Sequence, residues 1–299
     1  MNNILVCLLG GTIGSHIDGK NIKLGSSLND KFWAKAGAGF NLRKISPLSY
    51  SSEDATVQDY KEAFKAIIEE VEKDRPDGVL ILHGTDTAAY FAQLAVRVLS
   101  FLDIPVVITG SKLPPDDPRT DAIKNVKFSL ALLAAGALSE AGCKTFGVVF
   151  CDSFMGESTF VPARLATDPD YNGDHKKFAV KGDESFLGRK EAMEFLSKET
   201  SPKILTIPNV PGFPYDTIDV SSYDMILIEA YHSGTQNSKL LPEFVRKATE
   251  AKVRCYLAPA RVNKNSYESE NELTKAGLIK MTDIPLEGAW AQLQLLQNN

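Results

Sequence analysis

Four consecutive apolar residues, Val79-Leu80-Ile81-Leu82, are closed by His83-Gly84. Beyond them the apolar positions change period, recurring at Ala88, Phe91, Ala92, Ala95, Val98, Leu99 and Leu102. The first run predicts a strand buried on both faces, and the second a helix with one apolar face. The same alternation recurs along the first half of the chain. Strand-like runs at 4–9, 40–45, 104–109 and 146–151 are separated by helical patterns. One of these begins with a Thr56/Asp59 capping-box signature and places Val57, Tyr60, Phe64, Ile67, Ile68 and Val71 on one face; another begins near Asp121. Arg75-Pro76-Asp77-Gly78 reads as a turn. Strands alternating with helices imply right-handed crossovers and a parallel sheet covered on both faces, an α/β fold.

From 154 to 201 the pattern weakens into charged and glycine residues. Further strands are predicted at 204–210, 225–230 and 254–258, with helices at 242–252 and from Pro285 onward. The expected organisation is a larger N-terminal parallel-sheet α/β domain at 1–180, a linker at 181–202 and a smaller C-terminal α/β domain at 203–299. The length of 299 residues suits two such domains.

Composition narrows the functional classes. A net charge of −5 gives no support to nucleic acid or an anionic membrane surface as a partner. No apolar run approaches the ~20 residues of a membrane span. Met-Asn-Asn leads straight into the first strand, so no signal peptide is expected. Cys7, Cys143, Cys151 and Cys255 lie far apart, without metal-type pairing, and read as buried free thiols of a cytoplasmic protein. His16, His175 and His232 are scattered, so no metal site is expected.

Parallel strands bring the residues that follow them to one carboxyl edge, where open sheets bind ligands. Gly10–Thr12, Ser51–Asp54, His83–Asp86 and Gly110–Lys112 converge there on this reading. Thr85, Asp86 and Thr87 stand where the central strand hands over to a helix, at amides and a dipole end that favour a developing anion, and two hydroxyls about a carboxylate there suit nucleophilic or water-activating chemistry. An N-cap is the plainer reading of such residues, but it needs only one of Thr85, Asp86 and Thr87. His83 reads as support for the turn. The segment 15–27 has no periodicity and reads as a mobile loop over the edge.

Gly10-Gly11-Thr12-Ile13-Gly14 together with His83-Gly84-Thr85-Asp86-Thr87 resembles the two signatures of the bacterial-type L-asparaginase/glutaminase family, in its cytosolic type I-like branch. The likeness extends to Thr109-Gly110-Ser111 and to Tyr231-His232-Ser233-Gly234-Thr235. The resemblance implies a larger N-terminal catalytic and a smaller C-terminal α/β domain. It implies hydrolysis of the side-chain amide of L-asparagine, or a close relative, to L-aspartate and ammonia, with no metal or organic cofactor. It also implies a homodimer or homotetramer whose sites are completed by the neighbouring chain. Thr12 matches the nucleophile. Thr85 and Asp86 match the second Thr and its Asp, which contact substrate and orient water. The implied substrate-binding set is Ser52, Glu53, Gly84, Ser111 and Tyr267. Ser52 and Glu53 stand at the α-carboxylate, Asp86 pairs with the α-ammonium, Ser111 lines the amide pocket, and Tyr267 reaches across the dimer.

Two positions depart from the family pattern. Val161 aligns with a lysine paired with the second Thr and Asp, and the segment 15–27 lacks the family's tyrosine, Asn21 falling closest. These departures make a non-catalytic or weakly active amino-acid-binding homologue the alternative. A tRNA-dependent amidotransferase subunit carries the same motifs but has an extra N-terminal domain, whereas this chain opens on its first strand. Lys112, on the same edge as Thr85, is the surrogate for the missing lysine; its other reading is a solvent-facing loop lysine beside Pro114 and Pro115.

Overall fold

An uninterrupted apolar run makes β1 (Asn3–Leu8) a strand buried along almost its whole length. The computed structural model describes residues 2–25, 28–135, 146–150, 153–156, 160–161, 172–173, 186–231, 235–260, 268–282 and 284–296. After β1 the chain tightens into a 3-10 turn at Thr12–Gly14, then runs out and back as a hairpin of β2 (Ser15–Asp18) and β3 (Asn21–Leu24). The expectation of a loop without periodicity at 15–27 is corrected here. Ile17 pairs with Ile22 and Ser15 with Leu24, which puts the apolar side chains on one face and His16 and Lys23 on the other. Alternation over only four residues a side was masked by the polar turn between them.

The sheet is then built by alternation. Helix α1 (Asp30–Ala36) precedes β4 (Asn41–Ile45), and α2 (Val57–Lys73) precedes β5 (Gly78–Leu82). Helix α3 (Ala88–Leu99) leads to β6 (Val106–Thr109), and α4 (Ala122–Ala134) is followed by β7 (Phe146–Phe150) and β8 (Ser153–Gly156). The strand order is β4-β1-β5-β6-β7-β8, parallel except for β8, which turns back along β7. Helix α2 starts where Thr56 and Asp59 form a reciprocal capping box: the Asp59 amide donates to Thr56 Oγ1 and the Thr56 amide to Asp59 Oδ2. Alternate strand residues, Ile4, Val6, Leu80, Leu82 and Val107, pack with Trp33, Val126, Leu130 and Leu133 from α1 and α4. The opposite phase, including Leu5, Val79, Ile81 and Ile108, is equally buried, so the sheet is covered on both faces.

The short strands β9 (Phe160–Val161) and β10 (Asn172–Gly173) pair antiparallel. Helix α5 (Arg189–Ser197) lies inside the stretch expected as linker. Its Ala192, Phe195 and Leu196 are buried, at the i, i+3, i+4 spacing of an amphipathic helix. Lys61, fully buried on α2, donates to the carbonyl of Lys198 at the end of α5 and lies 4.8 Å from the Phe195 ring centre. Polar neighbours diluted this pattern in the sequence, and the anchoring lysine stands 137 residues away.

The chain divides into two compact units, residues 1–175 with 184–199, and 176–183 with 200–299. The second unit holds β11 (Ile204–Ile207), β12 (Met225–Glu229), α6 (Leu241–Glu250), β13 (Arg254–Ala260), α7 (Glu268–Lys275), β14 (Ile279–Thr282) and α8 (Leu286–Leu295). Its four strands pair in parallel in chain order. Ile226, Ile228, Cys255 and Leu257 form one core with Phe244, Val245 and Leu273; Met225, Leu227 and Tyr256 form another with Leu286, Ala289 and Leu293. Among the described residues, no helix is long and apolar enough to cross a membrane.

Candidate active site

Strands β1, β5 and β6 end in register, Leu8 opposite Leu82 and Leu82 opposite Thr109. The loops that begin at Leu9, His83 and Gly110 therefore leave from one carboxyl edge. The Tyr50 loop joins them, since the Gly11 amide donates to the Tyr50 carbonyl and Gly10 bridges Tyr50 in parallel. Strand β4 lies on one side of β1 and β5 on the other, so successive connections run in opposite directions across the sheet. The crevice at such a reversal is where open α/β sheets bind ligands.

Bare backbone meets bare backbone in that crevice. Gly11 has φ +69, and a Cβ on it would stand 2.1 Å from the Cα of Gly84. A Cβ on Gly84 would stand 2.4 Å from Ser52 Oγ, and one on Gly110 would meet the His83 carbonyl oxygen at 2.7 Å and Thr85 Cγ2 at 3.2 Å. Three loops separated by tens of residues touch through glycines because only glycine leaves room for the approach. Thr12 and Thr85 each follow a glycine of this contact directly.

Around the contact, polar side chains are used internally. His83 is buried, its Nδ1 lying 2.7 Å from the Gly84 carbonyl and its Nε2 3.1 Å from the Tyr50 hydroxyl. A carbonyl only accepts, so Nδ1 carries the proton and Nε2 accepts from Tyr50. Burial pushes the imidazole pKa down to about 4, which makes it a neutral brace for the turn. The Tyr60 hydroxyl donates to Thr87 Oγ1 at 3.0 Å, and Thr87 donates to the Ser52 carbonyl at 2.7 Å. Ser52 Oγ in turn accepts the Asp86 amide at 3.3 Å. Thr87 sits at the start of α3 yet makes no side-chain cap. Ser15 donates to the Gly11 carbonyl, Ser111 to the Leu113 carbonyl, and Asn125 to both the Gly110 carbonyl and Asp121.

Thr12, Thr85 and Asp86 differ from these neighbours. Among the described residues no hydrogen bond engages their side chains. Thr12 and Thr85 are half-buried and Asp86 is exposed, ahead of the first-turn amides of α3. Two uncommitted hydroxyls and a carboxylate at a helix N-terminus form a set suited to nucleophilic attack and to steering water.

The other residues expected at the site divide. Ser52 is fully buried, but its hydroxyl accepts rather than donates toward Asp86, which leaves its own proton unused among the described residues. Glu53 is exposed in the 3-10 turn Ser52–Asp54. Gly84 contributes close packing and the carbonyl that holds His83. Ser111, expected to line the amide pocket, is buried, and its hydroxyl donates within its own loop to the Leu113 carbonyl. The Lys112 amide donates to Asp121, and its ammonium stands 5.7 Å from the Phe150 ring centre. Tyr267 lies outside the described residues, as does the side chain of Val161. Sequence reasoning missed Tyr50, Tyr60 and Asn125, Tyr60 being visible only as a core position of α2. Thr87, expected with Thr85 and Asp86 as a hydroxyl for chemistry, has its side chain committed to Tyr60 and to the Ser52 carbonyl.

A family model described as Asparaginase, N-terminal, matches residues 3–155. The L-asparaginase of Thermococcus kodakarensis is 26% identical over 306 residues, covering 97% of this chain and 91% of that protein. A glutamyl-tRNA(Gln) amidotransferase subunit of Methanosarcina barkeri is 27% identical over 321 residues, covering 97% and 73%. Among solved structures, the thermostable L-asparaginase from Thermococcus kodakarensis superposes with a TM-score of 0.71 at 23% identity, covering 98% of this chain and 92% of that one. A probable cytoplasmic L-asparaginase from Campylobacter jejuni gives 0.75 at 17% identity, covering 99% and 94%. These likenesses agree with an α/β fold carrying two parallel sheets.

Proposed function

The chain belongs to the asparaginase family of amidohydrolases, and from that premise we propose that it hydrolyses the side-chain amide of L-asparagine, or a close relative, through Thr12. One observation carries the reading: Thr12, Thr85 and Asp86 keep their side chains free of hydrogen bonds among the described residues, while the His83, Thr87 and Ser111 side chains near them are engaged.

The Thr12 hydroxyl attacks the amide carbon and gives up its proton as the bond forms. That proton ends on the amide nitrogen as the C–N bond breaks, so the nitrogen leaves as ammonia and the acyl group remains as a threonine ester. Water held by Thr85 and Asp86 then opens the ester, restoring Thr12 and releasing the carboxylate. The Ser52 proton, unused among the described residues, suits the substrate's α-carboxylate, and the exposed Asp86 carboxylate suits its α-ammonium. Glu53 stays hydrated at the rim. A homodimer or homotetramer in which Tyr267 serves the neighbouring site, and a cytoplasmic location matching the buried free thiols Cys7 and Cys255, complete the reading.

Ammonia release from L-asparagine by the wild-type protein and by Thr12→Ala tests it. The variant is expected to keep its fold and lose turnover. Wild-type turnover by Thr12→Ala refutes the nucleophile. Aspartate binding without any ammonia release by the wild type favours the non-catalytic reading.

A further inference from the structure

Thr87 and Tyr60 have no part in the chemistry just described, yet they join a chain of polar contacts behind it. Tyr60 is 3% exposed on α2, and its hydroxyl donates to Thr87 Oγ1. Thr87 passes a donor on to the backbone carbonyl of Ser52, the first residue of the turn Ser52–Asp54. Ser52 closes the loop by accepting the Asp86 amide and by filling the space over Gly84. Chained hydroxyls of this kind polarise one another, and each member left alone in a buried site is costly.

We infer that Tyr60 and Thr87 are positioning residues that clamp the Ser52 turn onto the loop carrying Thr85 and Asp86, and so set the affinity for the substrate's amino-acid end. This rests on the reading of Ser52 as the contact for an α-carboxylate. The clamp ends on the Ser52 carbonyl, and its hydrogen bonds reach none of the Thr12, Thr85 and Asp86 side chains; Thr12 and Thr85 are placed by the glycine contact and the ends of β1 and β5. Loosening it weakens substrate and transition state equally, which raises KM and spares kcat. A residue with a merely structural role would lower thermal stability without that split.

The test compares Thr87→Val, which keeps the shape and removes the hydroxyl, with Thr87→Ser, which keeps the hydroxyl, and with Tyr60→Phe. Steady-state ammonia release from L-asparagine gives kcat and KM, and calorimetry with L-aspartate gives Kd. Thr87→Val is expected to raise both KM and Kd about tenfold with kcat within about twofold, the size of one lost buried hydrogen bond. Thr87→Ser should stay near wild type. Tyr60→Phe should move KM and Kd the same way by less, and should add little to Thr87→Val because the chain is already broken. Unchanged KM and Kd in Thr87→Val, a fall in kcat alone, or equal damage from Thr87→Ser overturns the inference. If the wild type binds aspartate without turnover, the proposed reaction fails while the Kd series still decides the clamp. A wild type that neither turns over asparagine nor binds aspartate overturns both.

Discussion

Gly11→Ala is the sharpest perturbation of the site that leaves every functional group in place. The new Cβ would stand 2.1 Å from the Gly84 Cα and 2.4 Å from the Gly84 amide nitrogen, far inside any real contact. Neither neighbour is a flexible side chain, so backbone must move by more than an ångström. Gly11 also sits at φ +69 and ψ −170, a region essentially reserved to glycine, where an L side chain costs about 1–3 kcal/mol. Overpacking adds about 1–3 kcal/mol, for a total of about 2–6 kcal/mol. The displacement separates the loops of Thr12 and Thr85, and a misplacement of that size costs roughly 100-fold in rate. Gly14 is the internal control. It lies in the same turn, has nothing within 4 Å of its Cβ position and has no positive φ. Ammonia release and thermal denaturation of Gly11→Ala and Gly14→Ala are the assays. Turnover and melting like wild type in Gly11→Ala, or equal damage in Gly14→Ala, would refute the claim that glycine contact assembles this site.

Further outcomes follow from the same geometry. His83 has a folded-state pKa of about 4 against an ordinary 6.5, so folding favours the neutral ring. The stability this gives is complete above about pH 6.5 and is lost as pH falls toward 4, by about 2 kcal/mol between pH 7.5 and 5. Urea unfolding should show that slope in the wild type and lose it in His83→Leu; a flat wild-type profile contradicts the buried neutral histidine. Lys112→Met should leave turnover within about twofold, because the ammonium rests over Phe150; a loss of the ~10²–10⁴-fold typical of a proton-transfer group would make Lys112 the surrogate base. Light scattering should find at least a dimer, and a monomer with full turnover rules out a shared site.

Features carried by neighbouring residues were legible in the sequence. The run Val79–Leu82 is apolar enough to specify a doubly buried strand, and β5 comprises Gly78–Leu82. The Thr56/Asp59 box spans four positions and forms both of its bonds. Alternating strand and helix imposed the parallel order that collects Thr12, Ser52 and Thr85 on one edge. Short or diluted periodicity failed, as in the hairpin of β2 and β3 and in helix α5. What no local pattern could state was the meeting of Gly11 with Gly84, or the commitment of particular hydroxyls. Ser111 and Thr12 are both small hydroxyl residues beside a glycine on the same edge. Yet Ser111 spends its proton on Leu113, whereas no hydrogen bond among the described residues engages the Thr12 side chain. That difference arises only when strands distant in the chain pair in register and set each loop at its final distance from the next. The sequence by itself therefore determined which residues reach the edge, and tertiary packing decided which of them remain available for chemistry.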